Sequence, residues 1–256
     1  TQKDRLSYLK KLNEVFGSMN AAKLQPHHIA RYLEEHPSPV TANREIAVLS
    51  VAYRKAMRIG MVNANPCTGV EKNKEKPRDR YVSDEEFLAV KSLCDPWLQA
   101  VMDLAYITGM RLGDLLALEH RQIDEEGIHI RQSKTGTKQI IERTPALNDV
   151  LSRLKKHRPV SGMYVICTKK GQPYSTYGFS SIWRKKRDKA LAEEKIKETF
   201  KWHDIRAKAA TDAQAQGLDA QRLLGHTTPE QTRAYIRSKE VARVRPVSPR
   251  EASSKK

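Results

Sequence analysis

The chain has 256 residues, enough for one large domain or two smaller ones, each able to bury a core. Its 47 Lys plus Arg against 30 Asp plus Glu leave a formal charge of +17, an excess that points to a polyanionic partner. No stretch approaches the roughly 18 apolar residues of a membrane span, no signal-peptide pattern opens the chain, and Cys67, Cys94 and Cys167 are too scattered to favour a disulfide framework or a zinc site. The expectation is a soluble, intracellular protein with reduced, structural thiols and no membrane partner. A first residue of Thr1 rather than Met reads as a piece of something longer.

Residues 1 to 78 read as helical. Leu6, Leu9, Leu12 and Phe16 form one stripe, and a second short helix runs from Pro26 through Leu33. A longer helix follows with Ile46, Leu49, Tyr53, Ala56 and Met57 on its apolar face, Thr41 as N-cap and Gly60 as stop. This segment carries 14 Lys plus Arg against 7 Asp plus Glu, so Arg44, Arg54, Lys55 and Arg58 either grip a phosphate backbone or form a solvated helix face. EKNKEKPRDR, residues 71 to 80, lacks apolar residues and contains Pro77, the composition of an extended linker. A domain boundary is placed there.

Ser83 with Glu86 forms a capping box that opens the second domain. The next helix follows Pro96, buries Trp97, Val101, Leu104 and Tyr106, and stops at Thr108 and Gly109. Arg111 then stands at the mouth of a helix whose other face is Leu112, Leu115, Leu116 and Leu118, as a structural cap or as an oxyanion ligand. Residues 127 to 131 and 138 to 143 read as a β-hairpin, with SKTG between them and Lys134 near its tip; Lys138 is a rival basic group. The stretch is not a P-loop, because no correctly spaced Gly precedes a Gly-Lys-Ser/Thr. A helix over 145 to 157 and a short apolar run over 163 to 168, strand or buried turn, come next. Tyr174, Tyr177, Trp183, Arg184, Lys185, Lys186 and Arg187 then interleave aromatic and basic residues around one predicted helix, which suits contact with DNA.

Residues 201 to 237 gather the densest set of functional side chains. His203 and Arg206, three apart in a helix-favouring segment ended by Gly217, share a face and can share a ligand. Leu218 to Leu224 is a short amphipathic piece closed by Gly225, which leaves the ring of His226 free in a turn. Thr228, Pro229 and Gln231 form a capping-box signature, and Tyr235 rides two turns into the helix they start.

HxxR, then LGH, then a Tyr nine residues after that His, resembles the C-terminal signature of the tyrosine recombinases, the phage integrase family. TGMRLGDL around Arg111 is similar to the surroundings of the family's first catalytic arginine. The Lys-Thr of SKTG is similar to the hairpin that supplies its lysine, and TANREIAVLSVAYRKAMRIGMVNANP resembles the last helix and exit of its core-binding domain. The resemblance implies a mainly α fold with a small antiparallel β-sheet: a helical core-type DNA-binding domain (1–70), a linker (71–80), a catalytic domain (81–240) and a tail (241–256) that packs on a neighbouring protomer. It also implies a catalytic set of Arg111, Lys134, His203, Arg206, His226 and Tyr235, with Asp114 in support. In that reading the arginines clamp the phosphate, Lys134 protonates the leaving oxygen, His203 takes the tyrosine proton, His226 hydrogen-bonds a phosphate oxygen, and neither metal nor organic cofactor is needed. Arg44, Arg54, Lys55, Lys138, Arg184 and Lys185 are the candidate DNA contacts. The implied partners are duplex DNA with a specific site, a homotetramer on that DNA exchanging strands through a Holliday junction, and accessory DNA-bending proteins, in the cytoplasm of a bacterial host. A further N-terminal arm-binding domain accompanies many integrases. A type IB topoisomerase-like nicking and resealing enzyme and a noncatalytic basic DNA-binding protein are the alternatives.

Overall fold

The computed structural model describes residues 2–76, 79–158 and 160–237, and it divides into two compact units, Thr1–Arg78 and Asp79–Lys256. The expected tail contact over 241–256 lies outside the described residues.

Among the described residues, three α-helices form the first unit: α1 (Gln2–Phe16), α2 (Pro26–Glu35) and α3 (Pro39–Arg58). Their shared core is Leu12, Leu24, Ile29, Leu33, Ile46 and Tyr53, and the Tyr53 hydroxyl donates to the Ala21 carbonyl at 2.8 Å. The expected stripe on α1 is buried only toward its C-terminal end, since Leu6 and Leu9 remain 68% and 42% exposed. Thr41 does not cap α3. Pro39, with no N–H to leave unpaired, takes the first helical position and moves the start to Ser38. The expected linker is also less free than its composition indicates. Asn43 Nδ2 donates to the Asn73 carbonyl at 2.8 Å, Asn73 Nδ2 reaches the Leu33 carbonyl at 3.0 Å, and Arg44 pairs with Glu75 at 2.8 Å. Side-chain amides here substitute for the apolar contacts the segment lacks, fastening 73–75 onto α2 and α3.

The second unit begins with α4 (Asp84–Ser92), where Ser83 and Glu86 form a reciprocal capping box, and α5 (Pro96–Thr108), capped by Asp95. α5 is the central helix: Leu98, Val101, Met102 and Leu104 are wholly buried against α7 (Pro145–His157) and α9 (Trp202–Ala215). Between them lie the five-residue α6 (Leu112–Leu116) and an antiparallel hairpin of β1 (Gly127–Arg131) and β2 (Lys138–Glu142), with Ile128 opposite Ile141 and Arg131 opposite Lys138. The run over 163 to 168 is a buried turn held by single bridges, Glu119 to Tyr164 and Cys167 to Pro173. α8 (Thr176–Ala192) contributes Phe179 and Trp183 to an aromatic cluster with Phe200 and Trp202, the Phe179 and Trp202 rings meeting edge-on at 4.7 Å. Trp183 therefore serves the core, not DNA. Burying an aromatic side chain of this size contributes roughly 2–3 kcal/mol, and here it fixes the first turn of α9, one residue before His203.

α9 is enclosed on nearly all sides, which its Ala207, Ala209, Ala210 and Ala213 permit by letting neighbouring elements approach closely. It also buries Lys208, 1% exposed, whose ammonium is held by Asp84, by Asp212 at 3.0 Å and by the Tyr81 hydroxyl at 3.2 Å. Burial alone would lower Lys208, but hydrogen bonds to Asp84, Asp212 and Tyr81 outweigh it, so the ammonium is held well above its ordinary value. The last pieces are α10 (Ala220–Leu224), closed by Gly225 in the left-handed region (φ 58°), and α11 (Pro229–Arg233).

Candidate active site

Two chain breaks in helical direction build the site. α5 ends at Gly109 with φ 59°, and a Cβ there would lie 3.1 Å from Leu224 Cδ2, so glycine both takes the left-handed turn without strain and gives α10 room to approach. The turn leaves Arg111 as N-cap of α6, with its guanidinium donating to Gln132 Oε1 on the hairpin. Asp114 Oδ1 accepts from the Ser133 backbone N–H at 2.9 Å, tying α6 to the turn that carries Lys134. Lys134 is exposed in that turn, near enough for its charge to lower both His203 and His226.

Arg206, only 3% exposed, is held by main-chain oxygens from both breaks. Its guanidinium donates to the Gly109 carbonyl and, at 2.7 Å, to the Leu224 carbonyl, while Nη2 lies 3.2 Å from His226 Nε2. A guanidinium only donates, so His226 Nε2 accepts; its proton is on Nδ1, which faces Thr232 Oγ1 at 3.1 Å. Both ring nitrogens are thus engaged, and His226 is 8% exposed. This corrects the expectation of a free ring: His226 orients Arg206, and it must release one bond to meet a ligand directly.

Tyr235 is not inside a helix. α11 stops at Arg233, and the Tyr235 N–H returns to the Thr232 carbonyl at 2.8 Å in a tight turn. The expected capping box does not form either, since Thr228 makes no side-chain cap and Gln231 accepts instead from the Thr227 N–H at 3.3 Å. Two residues later the Arg237 N–H donates to Thr211 Oγ1 at 3.0 Å, which fastens this turn to α9. The Tyr235 hydroxyl is 3.0 Å from His203 Nε2, its ring centroid is 5.0 Å from that of His226, and the Arg206 carbon Cζ lies 5.4 Å from the ring centroid.

Charge follows from this crowding. Burial first, then Arg206, Arg111 and Lys134, push His226 down to about 4. The surrounding protein and then the Arg206 charge also lower His203, although the residue as a whole is exposed. Burial and the nearby Arg111 bring Arg206 down to about 10, against the opposing pull of Tyr235 and Asp114, and it stays cationic at neutral pH. The result is a neutral imidazole able to accept a phenolic proton, beside two guanidinium groups that repel each other. A tetrahedral anion would relieve that repulsion. Among the described residues no cluster of His, Cys, Asp and Glu is arranged to hold a metal ion, and no helix is long and apolar enough to cross a membrane.

The remaining candidates divide by surroundings. In the first unit Arg54 and Lys55 are exposed beside Met57 and Arg58, whereas Arg44 is already paired with Glu75. In the second, Arg184 and Arg187 line a cleft with Lys201 and His203, Lys185 is exposed on the same helix, and Lys138 lies cross-strand from Arg131. Sequence reasoning missed Gln132, which is 4% exposed and touches Arg111. Its signal was present: the alternation that turns Ile128 and Ile130 inward continues to Gln132.

The sequence pattern of the phage integrase family matches residues 83–241. The integrase of Escherichia phage HK022 is 34% identical over 194 residues, covering 72% of this chain and 54% of that protein, so the chain spans about half the length of that relative. The integrase of Escherichia phage lambda is 25% identical over 253 residues, 91% of this chain and 70% of that protein. Among solved structures, a lambda integrase dimer bound to a COC′ core site superposes with TM-score 0.81 at 23% identity, over 94% of this chain and 90% of that one. A lambda integrase tetramer bound to a Holliday junction gives TM-score 0.75 at 23% identity, over 89% and 72%. These two likenesses establish the fold.

Proposed function

Because the chain belongs to the phage integrase family, we propose that it is a site-specific DNA recombinase that cleaves and rejoins duplex DNA through Tyr235. The observation that carries this reading is the Tyr235 hydroxyl, 3.0 Å from His203 Nε2, with the Arg206 guanidinium carbon 5.4 Å from the centroid of the Tyr235 ring. A phenol ionises near pH 10 and is a weak nucleophile until a base takes its proton and cations stabilise its oxygen.

The reaction is in-line transfer. Tyr235 Oη bonds to phosphorus as its proton passes to neutral His203, and the bond from phosphorus to the 5′ oxygen breaks. The ammonium of Lys134 gives that oxygen a proton, leaving a 3′-phosphotyrosyl bond and a free 5′-hydroxyl. Charge growing on the non-bridging oxygens is met by Arg111 and Arg206, each worth about 100- to 1,000-fold in rate by analogy with oxyanion donors. His226 fixes Arg206 and becomes a phosphate ligand when the substrate reorganises that pair. Resealing by another strand's 5′-hydroxyl reverses every step, so no nucleotide energy source is required.

In this reading the second unit is catalytic and the first is a core-type DNA-binding domain. Arg54 and Lys55 in the first unit, and Lys138, Arg184 and Lys185 in the second, contact phosphates; Arg44 does so after leaving Glu75. Four protomers act on two sites through a Holliday junction, the tail over 241–256 linking neighbours, with DNA-bending proteins assisting in the bacterial cytoplasm. The likeness to a lambda integrase tetramer on a Holliday junction supports this assembly. The test uses duplexes recovered from a random library by covalent capture on the wild-type protein. Two differently labelled copies should yield joint molecules of exchanged length. Relaxation of a supercoiled plasmid carrying the site, with no joint molecules, would instead favour a nicking and resealing enzyme.

A further inference from the structure

We infer that Gln132 is a positioning residue for Arg111, holding that guanidinium in register with the Arg206 anchor and the Lys134 turn; this rests on the recombinase reading above. Gln132 leaves the hairpin at the end of β1 and is 4% exposed, in the midst of the site's polar groups. Its Oε1 accepts from Arg111 Nη1 and from Thr135 Oγ1 at 3.0 Å. Its Nε2 donates to the Leu224 carbonyl at 2.9 Å and to Gln139 Oε1 at 3.0 Å. The Leu224 carbonyl is the oxygen that Arg206 Nη2 also holds at 2.7 Å.

A primary amide offers two acceptor sites and two donor protons, and all four are used here. The orientation is also determined. Turning the amide over would place its NH2 against a guanidinium and its oxygen against two acceptors, so only one arrangement is satisfied. One side chain therefore joins the first arginine, the oxygen that seats the second, and the residue that follows Lys134. The main chain adds to this, with the Gly136 N–H donating to the Gln132 carbonyl at 2.8 Å across the turn.

A second observation supports the assignment. A Cβ placed on Gly225 would lie 2.2 Å from Gln132 Nε2 and 2.2 Å from Gln139 Oε1. The glycine before His226 thus leaves the space that the amide pair fills, besides supplying the left-handed turn. Among the described residues Gln132 Oε1 is the buried acceptor for the Arg111 guanidinium, so without it the arginine can swing on its flexible stem. Misplacing a transition-state contact by about 1 Å can cost on the order of 100-fold in rate.

The experiment is a double-mutant cycle on the full chain, with Gln132→Met, Arg111→Lys and the combination. The rate of covalent adduct formation is read in single turnover at saturating nicked duplex of the captured site, beside DNA affinity and Tm. Gln132→Met, close in length and volume, should slow the adduct about 10- to 100-fold in the wild-type background and by less than about 3-fold where Arg111 is already Lys. A fold that is merely loosened slows both backgrounds alike, so equal losses overturn the inference even if Tm falls. An unchanged rate in Gln132→Met overturns it as well. If the wild-type protein forms no adduct on any duplex, the recombinase reading itself fails, a result separate from either of these.

Discussion

Replacing His226 by glutamine should flatten the acid limb of the second unit's stability. In the fold His226 is neutral, with Nε2 accepting from Arg206, and burial followed by three nearby positive charges brings it down to about 4. In the unfolded chain an imidazole titrates near 6.5. The folded value is depressed, so the contribution is fully present above about pH 6.5 and is lost as pH falls toward 4. Integrating proton uptake between those two values gives a loss of about 2 kcal/mol from pH 7 to pH 5 for this one group. Glutamine retains an acceptor for Arg206 but cannot titrate. Trp97, Trp183 and Trp202 all lie in the second unit, so tryptophan fluorescence in urea follows it without interference from the first. Wild type should lose about 2 kcal/mol more than His226→Gln between pH 7 and pH 5. His203 and the carboxylates titrate in both proteins and cancel in the difference. Equal losses would refute the account of His226 as a buried neutral acceptor.

Gly225→Ala should destabilise the second unit by about 2–4 kcal/mol, combining a left-handed alanine with displacement of a buried amide pair; urea midpoints check it, and a loss below 1 kcal/mol would contradict it. Lys208→Met should cost about 3 kcal/mol, because it takes the ammonium 3.0 Å away from the buried Asp212 carboxylate; thermal unfolding of the variant against the Lys208→Met, Asp212→Asn pair should show partial recovery. The rate of adduct formation should stay level from pH 8 to about 6.5 and decline below that as His203 takes a proton, given its lowered basicity. A decline already present near pH 7.5 would assign the proton to another group.

Local signals that compete with nothing were legible. Pro, Gly and side-chain caps marked α4 and α5, alternation marked β1 of the hairpin, and the spacing of His203, Arg206, His226 and Tyr235 marked side chains that the fold brings into one cluster. Where two signals competed, tertiary context decided. Thr228 and Gln231 suggested a helix long enough to carry Tyr235, but the Arg237 N–H bond to Thr211 draws the chain back to α9 and ends it early. Trp183 beside four basic residues resembled a DNA contact, yet its period placed it in the aromatic cluster with Trp202. Residues 71 to 76 lacked apolar character and were still fastened, through Asn73 and Glu75. Buried Lys208 and Gln132 were illegible for a common reason: their partners lie 4 to 127 and 3 to 92 residues away, respectively, in sequence.

The most direct test of the central claim is a nicked duplex of the captured site incubated with the wild-type protein and with Tyr235→Phe, followed by denaturing gel and peptide mapping of the adduct. The account predicts a covalent species at the DNA 3′ end in wild type, mapped to Tyr235, and none in the variant despite equal binding. An adduct that persists in Tyr235→Phe, or one that maps to another residue, would contradict it.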